Sequence, residues 1–230
     1  MNNLAASSAT IGFVICLVTY GLGVMIKNKF KKGFLNPLLL SIVFSMVIIK
    51  VLGIEYDTFN SSAKYLSYLL TPATVALAIP LYMQLDRLKK NIWAILIGIT
   101  SGVLTSLSCI LVMALAFRLD HETYVTLLPK SITTAIGMGV VEELGGYVTI
   151  AVAVIIVTGI IGNMAAEAVL KLFRITDPVA KGLAIGTCSH AVGTAKAMEI
   201  GEIEGAMSSL SIVVAGLLTV IGASVFAQFI

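Results

Sequence analysis

Apolar residues occur along this chain in long uncharged blocks, with the charges gathered in the gaps between them. The blocks run from about Ser8 to Ile26, Pro37 to Ile49, Tyr65 to Leu85, Ile92 to Phe117, Tyr147 to Leu170, Gly182 to Ala195 and Ala206 to Ile230. A hydrocarbon layer of roughly 30 Å is crossed by about 20 apolar helical residues. The pattern therefore predicts an all-α integral membrane protein with about seven transmembrane helices, two of the blocks being short. A further segment, Tyr124 to Gly146, is moderately apolar but carries Pro129, Lys130, Glu142 and Glu143, and it ends on the helix-breaking pair Gly145–Gly146.

Composition agrees with a bilayer environment. Of the 230 residues, 58% are hydrophobic and 12% charged, against roughly half and roughly a quarter in a soluble domain. One multi-pass domain, residues 1–230, is the expected organisation, and nucleic acid is excluded as a partner class. The N-terminal run lacks a basic leader and ends in lysines, so it is read as a retained first span.

Ten of the 15 basic residues fall in three connections: Lys27, Lys29, Lys31 and Lys32; Arg87, Lys89 and Lys90; Lys171, Arg174 and Lys181. The positive-inside rule places these in the cytoplasm. The acidic connections, Glu55 and Asp57, Asp120 and Glu122, and Glu199, Glu202 and Glu204, are assigned to the outer face. This predicts an N-terminus outside and a C-terminus inside the cell membrane. Parity then requires Tyr124 to Gly146 to return to its own side as a re-entrant hairpin. Such backbone is tolerated only inside the protein or along a watery cavity.

The same bookkeeping gives two opposed repeats, about residues 1–118 and 119–230, each with an interrupted helix followed by a long span. One interruption holds Pro72 and Pro80; the other holds Gly186, the run Thr187, Cys188, Ser189 and His190, and then Gly193 and Thr194. Broken segments in matching positions of two halves point to a transporter binding site.

The candidate chemistry lies at these breaks. Pro129 is expected to start a half-helix whose exposed amides favour an anion, with Lys130 in its first turn and Thr133 and Thr134 on the same face. Lys130 either holds a carboxylate there or snorkels to the interface. An ionisable side chain in mid-segment is a functional candidate by default, so His190 is either a proton carrier or a neutral group tying two helices together. Lys196 and Glu199 are read as a structural pair, and Glu142 and Glu143 as a solvated hairpin end. Gly98, Gly102, Gly159 and Gly162 supply small-residue spacings for close helix packing. Cys16, Cys109 and Cys188 show neither disulfide nor zinc spacing, and no metal or other cofactor is implied. An enzyme is not expected: Ser189 and His190 are neighbours, about 100° apart on a helix, and cannot pair as nucleophile and base.

Three blocks carry a resemblance: Pro72-Ala73-Thr74-Val75-Ala76-Leu77-Ala78-Ile79-Pro80-Leu81-Tyr82, Leu128-Pro129-Lys130-Ser131-Ile132-Thr133-Thr134, and Ser189-His190-Ala191-Val192-Gly193-Thr194-Ala195-Lys196-Ala197. In this order they resemble the LrgB/CidB family, and the hairpin and the final third are most similar to the CidB branch. Asn36-Pro37 and Glu204-Gly205-Ala206 extend the likeness over almost the whole chain. Ala135 departs from it, standing where many relatives have a second proline.

The resemblance implies antiholin-like or holin-like proteins tied to control of murein hydrolases and lysis, beside a small LrgA/CidA-type membrane protein. It also implies transport of small monocarboxylates of the pyruvate, glycolate, glycerate or lactate type. The expectation is a carrier, with a pore or scaffold as the rival and a homo-oligomer as one admissible assembly. Lys130, Ser131, Thr133, Thr134, Thr74, Ser189, His190 and Thr194 are the expected substrate contacts, with His190 coupling protons. Pro72, Pro80, Pro129, Gly186 and Gly193 are the expected helix breaks.

Overall fold

A computed structural model describes residues 10–30, 35–69, 72, 75, 76 and 78–230, which are helical with short connections. Among them, Ile11–Phe30, Ile92–Phe117, Val148–Leu172 and Glu202–Phe229 are long and apolar enough to cross a membrane, and Pro37–Leu52 is apolar but shorter. The chain divides into two compact units, Met1–Ala76 and Leu77–Ile230. Thr74, Lys31 and Lys32 lie outside the described residues.

The first unit contains α1 (Ile11–Phe30), α2 (Pro37–Leu52) and α3 (Tyr56–Ser67). Asn36 starts α2 by accepting from the amide of Leu38 at 2.8 Å, with Pro37 at the first helical position, and Gly53 ends it in the left-handed region at φ 63°. Buried Thr19 joins α1 to α2 through hydroxyl bonds of 2.9 Å with Ser41 and 3.0 Å with Ser45. A polar bond of this kind is one way to hold helices together where lipid removes the usual hydrophobic drive.

The second unit contains α4 (Ala78–Met83), α5 (Leu85–Lys90), α6 (Ile92–Phe117), α7 (His121–Leu127), α8 (Thr134–Glu143), α9 (Val148–Leu172), α10 (Pro178–Ile200), α11 (Glu202–Phe226) and a closing 3₁₀ turn, Ala227–Phe229. Pro72 is helical and exposed, and Pro80 lies within α4.

Residues 121–147 form a hairpin that returns to its own starting point. α7 begins at Asp120, whose carboxylate accepts from the Thr123 amide at 3.3 Å, and ends in the turns around Pro129. α8 then returns to a left-handed Gly145, φ 79°. The exit closes on the entry: the Tyr147 amide donates to Thr126 Oγ1 at 2.8 Å and its hydroxyl to Glu122 at 2.5 Å. One expectation is corrected. The half-helix starts at Thr134, with Thr133 as its cap, so Lys130 sits in the turn before it rather than in its first turn.

The interrupted segment 178–200 is also a hairpin, and this overturns the expected inside-to-outside course. Its backbone leaves the helical region at His190, φ 42° and ψ −140°. A Cβ on Gly193 would lie 3.1 Å from the carbonyl oxygen of Ile185, although eight residues of continuous helix would separate them by about 12 Å. Both ends of α10 reach Glu204: Lys181 pairs with it at 3.9 Å, and Gly201 lies beside its carboxylate. The returning arm runs back along α9, with Asn163 donating to the carbonyl of Val192 at 2.7 Å and Lys196 pairing with Glu167 at 2.6 Å.

Two corrections follow from this turn. Glu199, Glu202 and Glu204 lie at the end that carries Lys171 and Lys181, not at the opposite face. α11 then crosses from that basic end, and the chain finishes beside residues 118–122: Tyr124 donates to the Phe226 carbonyl at 2.9 Å, and His121 Nδ1 to that of Ile230 at 2.6 Å. The C-terminus therefore shares a side with the 118–122 connection, against the expectation that they lie on opposite sides.

Candidate functional site

α6 serves as a ruler for the site. A Cβ on Gly98 would touch Leu183, and one on Gly102 would come within 2.9 Å of Thr187 Cγ2, so the rising arm of the α10 hairpin runs beside the first half of α6. One turn further, Ser106 Oγ lies 3.3 Å from Ser131 Oγ in the turn of the α7–α8 hairpin. Ser106 stands about 21 Å from the start of a helix about 39 Å long. The two hairpins thus approach from opposite ends and meet near the middle of the unit.

The close approaches depend on glycine. A methyl on Gly162 would lie 2.7 Å from Ser189 Cβ, and one on Gly186 2.8 Å from Ser208 Cα. The α10 tip therefore seats against bare backbone on α9, while its rising arm brings bare backbone to α11.

Where the hairpins meet, a cavity of about 1080 Å³ runs from Lys90, Asn91 and Asp177 at the basic end to Lys130, Ser131, Cys109, Thr187 and Cys188 at its head. Lys130 donates from Nζ to Ser131 Oγ at 3.2 Å, and Cys109 and Cys188 line the cavity with it. Beyond this head the protein is packed and apolar, with Leu128, Tyr124, Val125, Ile110 and Ala114 all buried. Among the described residues of the second unit, the cavity runs from the basic end and stops at this head.

An ammonium among hydroxyls at the closed end of a wet vestibule suits a small carboxylate: the charge is held by Lys130, and the hydroxyls meet the remaining oxygens.

Of the expected contacts, Lys130 and Ser131 line this cavity. Thr133 and Thr134 belong to the cap and start of α8 and do not. Ser189 is fully buried, its hydroxyl 2.9 Å from Cys188 Sγ. Thr194 is equally buried and shares a 2.7 Å bond with Ser208. His190 lies behind the cavity wall, 4% exposed, donating from Nε2 to the Ile155 carbonyl at 3.0 Å. That bond ties the α10 break to α9. Of the expected breaks, Pro129 ends α7, while Gly186 and Gly193 are close-packing positions on the two arms of the hairpin.

Sequence reasoning missed Ser106, Cys109 and Thr187 as cavity residues. Ser106 and Cys109 sit in an unbroken apolar span and carried no local signal. Thr187 stood inside the polar run at the break and could have been singled out. Among the described residues no cluster of three or more histidine, cysteine or acidic side chains is placed to hold a metal ion.

Comparison with known proteins gives the chain its relatives. The profile of the LrgB-like family matches residues 16–229. The chain is 39% identical over 221 residues, 95% of its length and 96% of the relative's, to the antiholin-like protein LrgB of Bacillus cereus strain B4264. The same figures hold for the antiholin-like protein LrgB of Bacillus anthracis strain CDC 684 / NRRL 3495. No solved structure matches.

Proposed function

The chain belongs to the LrgB-like family, and we propose that it is an alternating-access carrier of small monocarboxylates, of the pyruvate, glycolate, glycerate or lactate type. The observation that carries the reading is Lys130 at the head of a one-sided cavity between two hairpin turns, beside Ser131 and Ser106. Interrupted backbone lining a mid-membrane cavity is how carriers place binding groups where continuous helices would leave none. In this reading Lys130 binds the carboxylate, Ser131 and Ser106 its neighbouring oxygens, and His190 is a positioning residue that holds the α10 turn. The two opposed hairpins would be the moving parts.

The basic end, with Lys89, Lys90, Lys171, Arg174 and Lys181, is assigned to the cytoplasm by the positive-inside rule. The cavity then faces inward and the C-terminus outward. The antiholin-like name of the relatives places such transport in the setting of lysis control.

The test is uptake of labelled pyruvate, glycolate and lactate into proteoliposomes, with a dye-leakage control. Saturable, mutually competed uptake without leakage is expected, and Lys130→Ala should abolish it. Leakage of dye, or flux that survives Lys130→Ala unchanged, would sink the carrier reading.

A further inference from the structure

We infer that Thr187 reads the oxygen on C2 of the transported acid and so separates 2-hydroxy and 2-oxo acids from their unsubstituted analogues; this rests on the carrier reading of the Lys130 cavity. Helical hydroxyls in this protein commonly return a bond to the carbonyl one turn back: Thr105 to Ser101 at 2.7 Å, Ser209 to Gly205 at 2.9 Å and Thr194 to His190 at 3.0 Å. Thr187 does not. Its Oγ1 is the buried side-chain oxygen left without a partner among the described residues, although the residue lines the cavity.

A buried hydroxyl with no partner opposes folding, so a partner arriving with the ligand would remove a cost that the empty protein carries. The oxygen is closed off in this conformation, while Cγ2 faces α6 at Gly102, where a Cβ would come within 2.9 Å. A turn of about 120° around χ1 carries the hydroxyl to the place that Cγ2 holds, beside the bare backbone of Gly102, which lines the same cavity.

Position selects the ligand atom. Thr187 and its neighbour Cys188 line the same cavity as Lys130, the carboxylate-binding group. A 2-hydroxy or 2-oxo acid carries an oxygen on the carbon next to its carboxylate. A threonine hydroxyl can donate to the oxo form and accept from the hydroxy form, which allows both classes and leaves an unsubstituted acid without that bond.

The experiment is competition of labelled lactate uptake into proteoliposomes by pyruvate and by propionate, which differ only at C2. In the wild-type protein pyruvate should inhibit at a concentration about five- to tenfold lower than propionate. Thr187→Val should erase that preference while leaving inhibition by propionate unchanged, which also shows that the variant is folded, and Thr187→Ser should retain the preference. No preference in the wild type, a preference unchanged in Thr187→Val, or an equal loss for both acids overturns the role of Thr187 and leaves the carrier reading standing. Absence of saturable lactate uptake in the wild type overturns both.

Discussion

Gly186 offers a direct test of the folded-back α10 hairpin. A methyl there would lie 2.8 Å from Ser208 Cα and 2.8 Å from its Oγ, the same hydroxyl that bonds Thr194 on the returning arm at 2.7 Å. Backbone cannot rotate out of the way, so Gly186→Ala must push the rising arm from α11 and strain the Thr194–Ser208 bond as well. Overpacking of this kind costs about 1–3 kcal/mol. At about 2–4 °C per kcal/mol for a chain of this size, the midpoint should fall by about 2–12 °C. Gly139 supplies the control, since it is also helical and a Cβ there meets nothing within 4 Å. Gly139→Ala should be neutral or stabilise by up to about 1 kcal/mol through helix propensity. The assay is thermal unfolding of detergent-solubilised protein followed by fluorescence-detected size exclusion. If Gly186→Ala melts with the wild type, or if both variants shift alike, the contact between the hairpin arm and α11 is refuted.

Other consequences can be checked in the same preparations. Cys109 and Cys188 line the cavity head, so in a Cys16→Ser background a membrane-impermeant maleimide should label them only from the basic side, with excess pyruvate slowing the reaction; labelling from the opposite side would contradict the apolar seal. Glu167→Gln removes one of the two carboxylates paired with Lys196, but that pair is partly exposed, with Glu167 at 47%, so stability should change by less than about 1 kcal/mol. The Thr123 hydroxyl, donating at 2.7 Å, holds the Asp120 carboxyl below its ordinary range. With a depressed folded-state value, the stabilisation from Asp120 is complete above its unfolded pKa of about 3.9. It is lost as pH falls through the folded value, and Asp120→Asn should flatten that part of the stability profile in acid unfolding. His190→Gly should be tolerated better than His190→Ala, because glycine accepts φ 42° while both lose the bond to Ile155; the reverse order in thermal unfolding would count against the break at 190.

Much of this arrangement was legible in the sequence for a physical reason: a membrane imposes the length of each span, and polar residues within one must have a use. The Pro129 turn and its lysine stood out on that ground, as did the glycine-rich break from 186 to 194. The direction of the chain after that break did not. A helix that is interrupted and continues across, and one that turns back, have the same local composition; they differ in contacts far along the chain, here Glu204 with Lys181 and the returning arm against α9. Reading Glu199, Glu202 and Glu204 as an outer face leaned on acidic residues, which carry little weight in the orientation rule. In the fold the acids are explained by local pairing: Glu199 with Lys196 at 3.2 Å and Glu204 with Lys181.

The same turn is the ground on which the proposed carrier is preferred to a pore. Had α10 crossed, its polar run could have lined a continuous path from one face to the other. Turned back at His190, that run ends at the level of Lys130, and the way onward is filled by Leu128, Ile132, Tyr124 and Ile110, each at most 4% exposed. Side chains packed in this way leave no continuous path beyond the head among the described residues of this unit. In the proposed carrier, passage to the other face would come from the two hairpins changing places as seal and opening. For a passive channel the packed head would be an obstruction; for a carrier it is one of the two closed ends that the transport cycle needs.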